Sequence, residues 1–75
     1  MKKYVYGWTH YKRTGWVING KKQYEGYFKK DNDPYNFTLV RVRFTAKHPV
    51  LAMREIAERL SNGISPYDIG DKEIN

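Results

Sequence analysis

The 75-residue chain carries a net charge of +6, is 16% aromatic and contains no cysteine. This length fits one domain with a thin core, and the lack of cysteine excludes a disulfide framework and a thiolate metal site. No apolar run approaches the roughly 18–20 residues that a membrane span needs, so we expect a soluble, cytoplasmic protein with no membrane partner.

The charge is divided unevenly along the chain. Residues 1–47 hold eleven of the fourteen Lys and Arg residues and only three acids, which gives this segment a charge of +8. Residues 48–75 hold three bases and five acids, a charge of −2, and only one of the twelve aromatic residues. Cationic charge interleaved with aromatic rings favours a polyanionic partner, because the charges attract phosphates and the rings can stack on bases.

The first half of the chain predicts three strands. Residues 2–11 alternate, with Tyr4, Tyr6 and Trp8 on one face of an extended strand. Residues 12–15, Lys-Arg-Thr-Gly, predict a turn, and residues 16–18 predict a second short strand. Asn19-Gly20 then predicts a two-residue type I′ hairpin turn, because both residue types tolerate positive φ angles. Residues 21–28 return as the third strand.

A loop and a fourth strand follow. Residues 29–34 combine Asp and Asn with Pro34, a composition typical of loops. Residues 36–45 then predict the clearest strand of the chain, in which Val40, Val42 and Phe44 alternate with Arg41 and Arg43. We expect the apolar set to face the core and the arginine set to face outward.

A helix is predicted over residues 49–61. Pro49 suits its first turn, where the missing N–H costs nothing. The apolar positions recur with helical spacing and form one stripe, which consists of Met53, Ile56, Ala57 and Leu60. Asn62-Gly63 ends the helix, with Gly63 in the left-handed conformation that closes many helices. We expect residues 63–75 to form a tail whose end frays.

The resulting fold class is α+β, with the order β-β-β-β-α. One helix stripe covers one face of an antiparallel sheet of three to four strands, so that a single two-layer domain spans residues 1–75. Residues 1–46 form the basic, aromatic sheet and residues 48–62 the helix. This layout resembles that of DNA-binding domains built from a three-stranded sheet and a helix, such as the arm-site domains of tyrosine integrases and the plant AP2 domain. The resemblance is one of layout only, since no residue motif of those families is matched.

The leading functional hypothesis is a small nucleic-acid-binding protein that contacts the phosphate backbone through its sheet face and hairpin tip. An antiparallel ribbon can enter the DNA major groove, and arginine can recognise guanine there, so DNA is slightly favoured over RNA. The alternative for these charges is a solvated strand face that prevents aggregation. The candidate contact residues are Lys3, Lys12, Arg13, Lys21, Lys22, Arg41 and Arg43.

The aromatic residues have two interpretations. Tyr4, Tyr6 and Trp8 suit either a stacking platform for unpaired bases or the core face of the first strand, and the thin core favours the second. The candidate stacking or hot-spot rings are Tyr11, Trp16 and Tyr27. Exposed rings of this kind suit a nucleic acid and a protein partner about equally.

The sequence does not indicate an enzyme. His10 and His48 lack the paired carboxylates and the nucleophile that acid–base catalysis requires nearby, and His48 lies at the predicted helix start. Two histidines without further ligands do not indicate a zinc site, and no cofactor motif is present.

Two other hypotheses remain. The chain has the size and charge of a small phage- or mobile-element-type inhibitor that docks on an acidic or nucleic-acid-binding host protein, with its rings as hot spots. Alternatively, the uncovered sheet face pairs with itself in a homodimer, although Arg41 and Arg43 would oppose their own copies.

Overall fold

A four-stranded sheet and two helices make up the computed structural model, which describes the backbone of residues 4–75 and the side chains from residue 11 onward. The elements in chain order are β1 (Tyr4–Ile18), β2 (Lys21–Lys30), β3 (Val40–Ala46), α1 (Pro49–Ser61), α2 (Pro66–Ile69) and β4 (Lys72–Glu73). The strands lie in the order β1-β2-β3-β4. The first three are antiparallel, and β4 runs parallel to β3. This arrangement confirms the α+β prediction of a sheet covered by a helix.

The turn predicted at residues 12–15 is wrong, because β1 is one continuous strand there. Its register against β2 shifts between Arg13 and Val17, which leaves extra residues on the β1 side. Gly15 lies inside this shift with a φ of 91°, a value that glycine adopts without steric cost. The residues therefore form a bulge, which bends an edge strand without ending it. A second shift lies between Tyr6 and Tyr11.

The hairpin turn between β1 and β2 is confirmed. Asn19 and Gly20 have φ angles of 52° and 77°, the positive values that a type I′ turn requires at both central positions. Ile18 consequently pairs with Lys21 and Val17 with Lys22.

The fourth predicted strand starts later than expected. It is β3, which begins at Val40 rather than at residue 36, so that residues 31–39 form the β2–β3 loop. Asn36 has a φ of 60°, and its carbonyl accepts a hydrogen bond from the Leu39 amide. This positive φ angle and this short-range hydrogen bond are incompatible with an extended strand.

The core lies between α1 and one face of the sheet. The largest fully buried side chains include Phe28, Phe44, Met53 and Ile56, each worth about 1.5–3 kcal/mol of transfer free energy. Gly26 lies under the helix, where an added Cβ would be 2.4 Å from Met53 Sδ. The absence of a side chain at this position allows α1 to approach the sheet closely.

The predicted helix has the predicted ends. Pro49 opens α1, and all four residues of the expected apolar stripe are buried. Beyond Ser61, the amides of Gly63 and Ile64 donate to the carbonyls of Leu60 and Arg59. These two bonds form a Schellman motif, with Gly63 at a φ of 87°.

The tail, which was expected to fray, is built into the sheet. Ile69 is buried, and the Asp71 and Ile74 amides donate to the carbonyls of Arg43 and Thr45. The Asn75 side chain accepts hydrogen bonds from the Lys47 and His48 amides and donates to the His48 carbonyl. The last residue of the chain therefore ties down the start of α1, where the His48 side chain makes no capping bond.

Candidate functional site

The sheet face opposite α1, called the open face below, is defined by register. Residues paired directly across an antiparallel sheet project from the same face, so the neighbours of the outward-pointing arginines belong to it. Lys12 pairs with Glu25 and Glu25 with Arg43, while Tyr27 pairs with Arg41. The described members of the open face are Lys12, Ile18, Lys21, Gln23, Glu25, Tyr27, Lys29, Arg41, Arg43 and Thr45. This face confirms the predicted alternation of β3, with Val42 and Phe44 buried on the other side.

A carboxylate beside two guanidinium groups is the main electrostatic feature of the open face. Glu25 Oε1 lies 2.7 Å from Arg41 Nε and 3.9 Å from Arg43 Nε. The Glu25 side chain is only 11% exposed, whereas those of Arg41 and Arg43 are 59% and 56% exposed. Oε1 is buried and accepts no hydrogen bond of regular geometry from the described residues, so that the carboxylate is compensated chiefly by charge.

The arginines retain donors for a second partner. A guanidinium group has five N–H donors in a fixed fork, and in both side chains it is the Nε that approaches Glu25. Because the two side chains are more than half exposed, their terminal nitrogens are accessible to an anion in solution. Glu25 lowers the net charge here but also restrains the orientation of both groups.

The structure does not bring the hairpin-tip lysines together with the arginines. Lys21 forms an ion pair with Glu73 and donates a hydrogen bond to the Asn75 carbonyl, so its charge is engaged by the tail. Lys22 is exposed but pairs with Ala46, on the helix side of the sheet.

The remaining predicted cations are also divided between the faces. Lys12 is exposed on the open face, directly opposite Glu25. Arg13 is exposed but pairs with Tyr24, a core residue, and so belongs to the helix side. Lys3 lies outside the described residues. The structure thus groups Lys12, Arg41 and Arg43 around Glu25 and separates them from the other candidates.

The three candidate aromatic residues differ in their surroundings. Tyr11 is half-buried, and its ring meets the ring of Tyr24 edge-on, with centroids 5.2 Å apart and planes at 87°. Trp16 is exposed in the β1 bulge. Tyr27 is half-buried on the open face, beside Arg41. The side chains of Tyr4, Tyr6 and Trp8, and that of His10, lie outside the described residues, so the two interpretations of the first strand stay open.

Three strongly exposed rings of the described residues are absent from the predicted set: Tyr67 in α2 and two rings in the β2–β3 loop. Tyr35 and Phe37 in the β2–β3 loop are 76% and 86% exposed, and their centroids are 5.8 Å apart. The strand predicted over residues 36–45 includes Phe37, which the structure places in the loop. A signal was available, since two rings in a segment rich in Asp, Asn and Pro are unlike the periodic aromatics of a core strand.

A shallow groove of about 430 Å³ lies beside β3. It exists because β4 pairs only with Phe44 and Thr45, while α2 covers part of the edge nearer the start of β3. Its lining includes Arg41, Arg43 and Tyr67, and the Tyr67 side chain is almost fully exposed.

The described residues contain neither a group of three or more side chains suited to a metal ion nor a helix with the length and apolar character needed to cross a bilayer. No protein-family model, curated protein or solved structure matches the chain.

Proposed function

We propose that the protein binds nucleic acid, with DNA slightly favoured over RNA, through the phosphate contacts of its open face. The observation that supports this most directly is the pair of exposed guanidinium groups of Arg41 and Arg43, which are held side by side on an uncovered sheet face. Arginine is suited to phosphate because its planar fork donates two parallel hydrogen bonds.

The charge of the whole molecule adds to this local arrangement. A net charge of +6 on 75 residues attracts any polyanion and accelerates its encounter with the protein. Lys12 adds a third exposed cation to the same face. The hairpin tip contributes less than the sequence suggested, because Lys21 is engaged with Glu73.

Salt dependence is the direct test of phosphate contacts. With about three phosphates neutralised, affinity for an oligonucleotide should fall roughly 20- to 40-fold between about 50 mM and 200 mM salt. Fluorescence anisotropy with labelled single strands and duplexes measures this. Failure to bind any of these nucleic acids at about 50 mM salt would end the proposal.

A substitution that tests the role of Arg41 and Arg43 must not leave the buried Glu25 carboxylate without its partners. Replacing Arg41 and Arg43 alone strands the Glu25 carboxylate, a change that is strongly destabilising for buried ion pairs. The triple variant Glu25→Gln/Arg41→Gln/Arg43→Gln removes the carboxylate with its partners and changes the net charge by only −1. We expect its affinity to fall and its salt dependence to weaken by roughly two phosphate contacts.

A control variant distinguishes a specific contribution of the open face to binding from the effect of net charge alone. Arg54 in α1 and Lys72 in β4 are both exposed, and Lys72 pairs with Phe44 on the helix side of the sheet. Arg54→Gln/Lys72→Gln lowers the net charge by two, more than the triple variant does. If net charge alone governs binding, this control weakens it more than the triple variant. The proposal requires the opposite order.

A second candidate function is docking on a host protein, as in a phage- or mobile-element-type inhibitor. The groove beside β3 favours it, because an exposed ring, Tyr67, lies next to a sheet edge that is only partly paired. Extended segments of partner proteins add to such edges. A partner captured in the presence of nuclease, and lost when Tyr67→Ala is used as bait, would favour this function over nucleic-acid binding.

A further inference from the structure

The exposure of the Tyr35 and Phe37 rings is uncommon for a chain with so small a core. Burying large rings stabilises small domains, yet these two are 76% and 86% exposed. Their ring centroids are 5.8 Å apart and their planes are inclined by 38°. The two rings therefore form one continuous aromatic surface that is accessible from solution.

The loop that carries these rings is held by its own hydrogen bonds. Asp33 Oδ2 accepts from the Thr38 amide and from Thr38 Oγ1, both at 2.6 Å. Thr38 Oγ1 also accepts from the Lys30 amide at 2.8 Å, and the Asn36 amide donates to the Asp33 carbonyl. Asp33 and Thr38 thus bracket the segment that contains both rings. A loop ordered in this way presents its rings with little further loss of entropy on binding.

The surroundings of the rings favour a polyanion as their partner. The loop connects the Lys30 end of β2 to the start of β3, and Arg41 follows Phe37 by four residues. The loop itself carries two carboxylates, Asp31 and Asp33, so the cation that would meet phosphates at this end is Arg41 in β3. The rings and Arg41 therefore lie at the same end of the sheet. A wholly apolar protein partner would have to accept this cation at its border, whereas a nucleic acid would use it.

We infer that Tyr35 and Phe37 stack on unpaired bases, so that the preferred ligand is a single-stranded segment of nucleic acid whose phosphates lie on the open face. This inference rests on the proposed function and names its substrate class. Aromatic rings stack on every base, whereas the bases of a continuous duplex are covered by their neighbours. The sheet platform of an RNA-recognition domain uses rings on strands, and here the rings are on a loop.

The test compares labelled oligothymidylate with a random duplex of equal length at one salt concentration. We expect tighter binding of the single strand. Tyr35→Leu/Phe37→Leu keeps two exposed apolar side chains but removes both aromatic faces, and it should weaken binding to oligothymidylate about tenfold. Binding to the duplex should change less than twofold. The swap Tyr35→Phe/Phe37→Tyr retains both rings and should bind like the wild type.

A control variant in α1 tests whether the loss of any exposed apolar side chain weakens binding. Val50 and Leu51 are both about half exposed in α1, and Val50→Ala/Leu51→Ala should leave both affinities unchanged. Circular dichroism confirms that each variant is folded. In a parallel NMR titration, the ring protons of Tyr35 and Phe37 should move upfield as bases stack on them.

The outcomes distinguish this inference from the proposed function. If the wild type binds neither nucleic acid, both fail. If it binds with the expected salt dependence but the leucine variant loses nothing, or loses as much on the duplex as on the single strand, the stacking inference is overturned and the phosphate-binding function stands. Tighter binding of the duplex than of the single strand would also overturn the inference.

Discussion

At the residue scale, the centre of the open face is a buried carboxylate with two exposed guanidinium groups beside it. Glu25 limits the charge that the face presents, but it also keeps Arg41 and Arg43 adjacent. Removing one partner of such a buried group costs more than the contact itself is worth, because the other partner stays desolvated. The arginines therefore contribute to stability as well as to the proposed binding.

Asp33 provides a pH-dependent test of the β2–β3 loop. Hydrogen bonds from the Thr38 hydroxyl and the Thr38 amide hold the pKa of the Asp33 carboxyl below its ordinary value of 3.8. Because the folded pKa is the lower one, this stabilisation is complete above about pH 3.8 and is lost as the pH falls through the folded value. We expect the Thr38 amide resonance to shift in that acidic range and its protection from exchange to fall.

The comparison for this prediction is Asp33→Asn, in which no carboxyl titrates. Its Thr38 amide should lose protection at neutral pH and should show no acid transition of its own. A wild-type Thr38 amide that titrates at or above the ordinary carboxyl pKa of 3.8 would contradict the assigned hydrogen bonds.

The exposure of the arginines could be predicted from sequence, whereas the position of their counter-ion could not. Strict alternation with Val42 and Phe44 places Arg41 and Arg43 outward whatever the neighbouring strand does. Their contact with Glu25 depends on how β2 aligns with β3, and the nine-residue loop between them allows several registers. Only the three-dimensional structure fixes that alignment.

At the element scale, strong local signals were reliable and ambiguous ones were not. Asn19-Gly20 and the helix signals at Pro49 and Gly63 each have a single common structural outcome, and each was confirmed. The segment at residues 12–15 was misassigned because a glycine at positive φ serves a turn and a bulge equally. Residues of β1 pair with β2 on both sides of Gly15, so the segment is a bulge and not a turn.

The tail illustrates a second limit at this scale. Pro66 and Gly70 suggested an irregular end, and β4 contains only two residues. The tail is ordered by long-range hydrogen bonds to β3 and to the start of α1. No local sequence pattern predicts these bonds. The β2–β3 loop is different, because the hydrogen bonds between Asp33 and Thr38 join residues only five apart in the sequence. Its Asp and Asn residues predict a loop but not those bonds.

Gly26 tests the packing of α1 on the sheet. In Gly26→Ala, the added methyl group meets Met53 Sδ at 2.4 Å and Phe28 at 3.0 Å, and both neighbours are fully buried. We expect a loss of about 1–3 kcal/mol in unfolding free energy from overpacking, measured by urea denaturation.

A double-mutant cycle checks the cause of this loss. Met53→Ala removes the side chain that the new methyl group would meet, so the cost of Gly26→Ala should be much smaller in that background. Equal costs in both backgrounds would show that Met53 is not the obstacle and that the close approach of α1 is wrongly placed.

At the scale of the whole molecule, the charge asymmetry of the sequence is only partly an asymmetry of surfaces. Residues 1–47 carry a charge of +8, but Arg13 and Lys22 belong to the helix side and Lys21 is paired with Glu73. Of the predicted contact residues that the structure describes, Lys12, Arg41 and Arg43 are the exposed ones on the open face. The proposed interface is therefore smaller than the sequence suggested.

The measurement that tests the proposed interface most directly is an NMR titration of the labelled protein with a short oligonucleotide at low salt. The Nε–Hε resonances of Arg41 and Arg43 report on the guanidinium groups themselves, and those of Arg54 and Arg59 in α1 serve as internal controls. We expect saturable shifts at Arg41 and Arg43 and at the Lys12 amide, with the helix resonances unchanged. Shifts confined to α1, or spread evenly over all cations without saturation, would contradict the account.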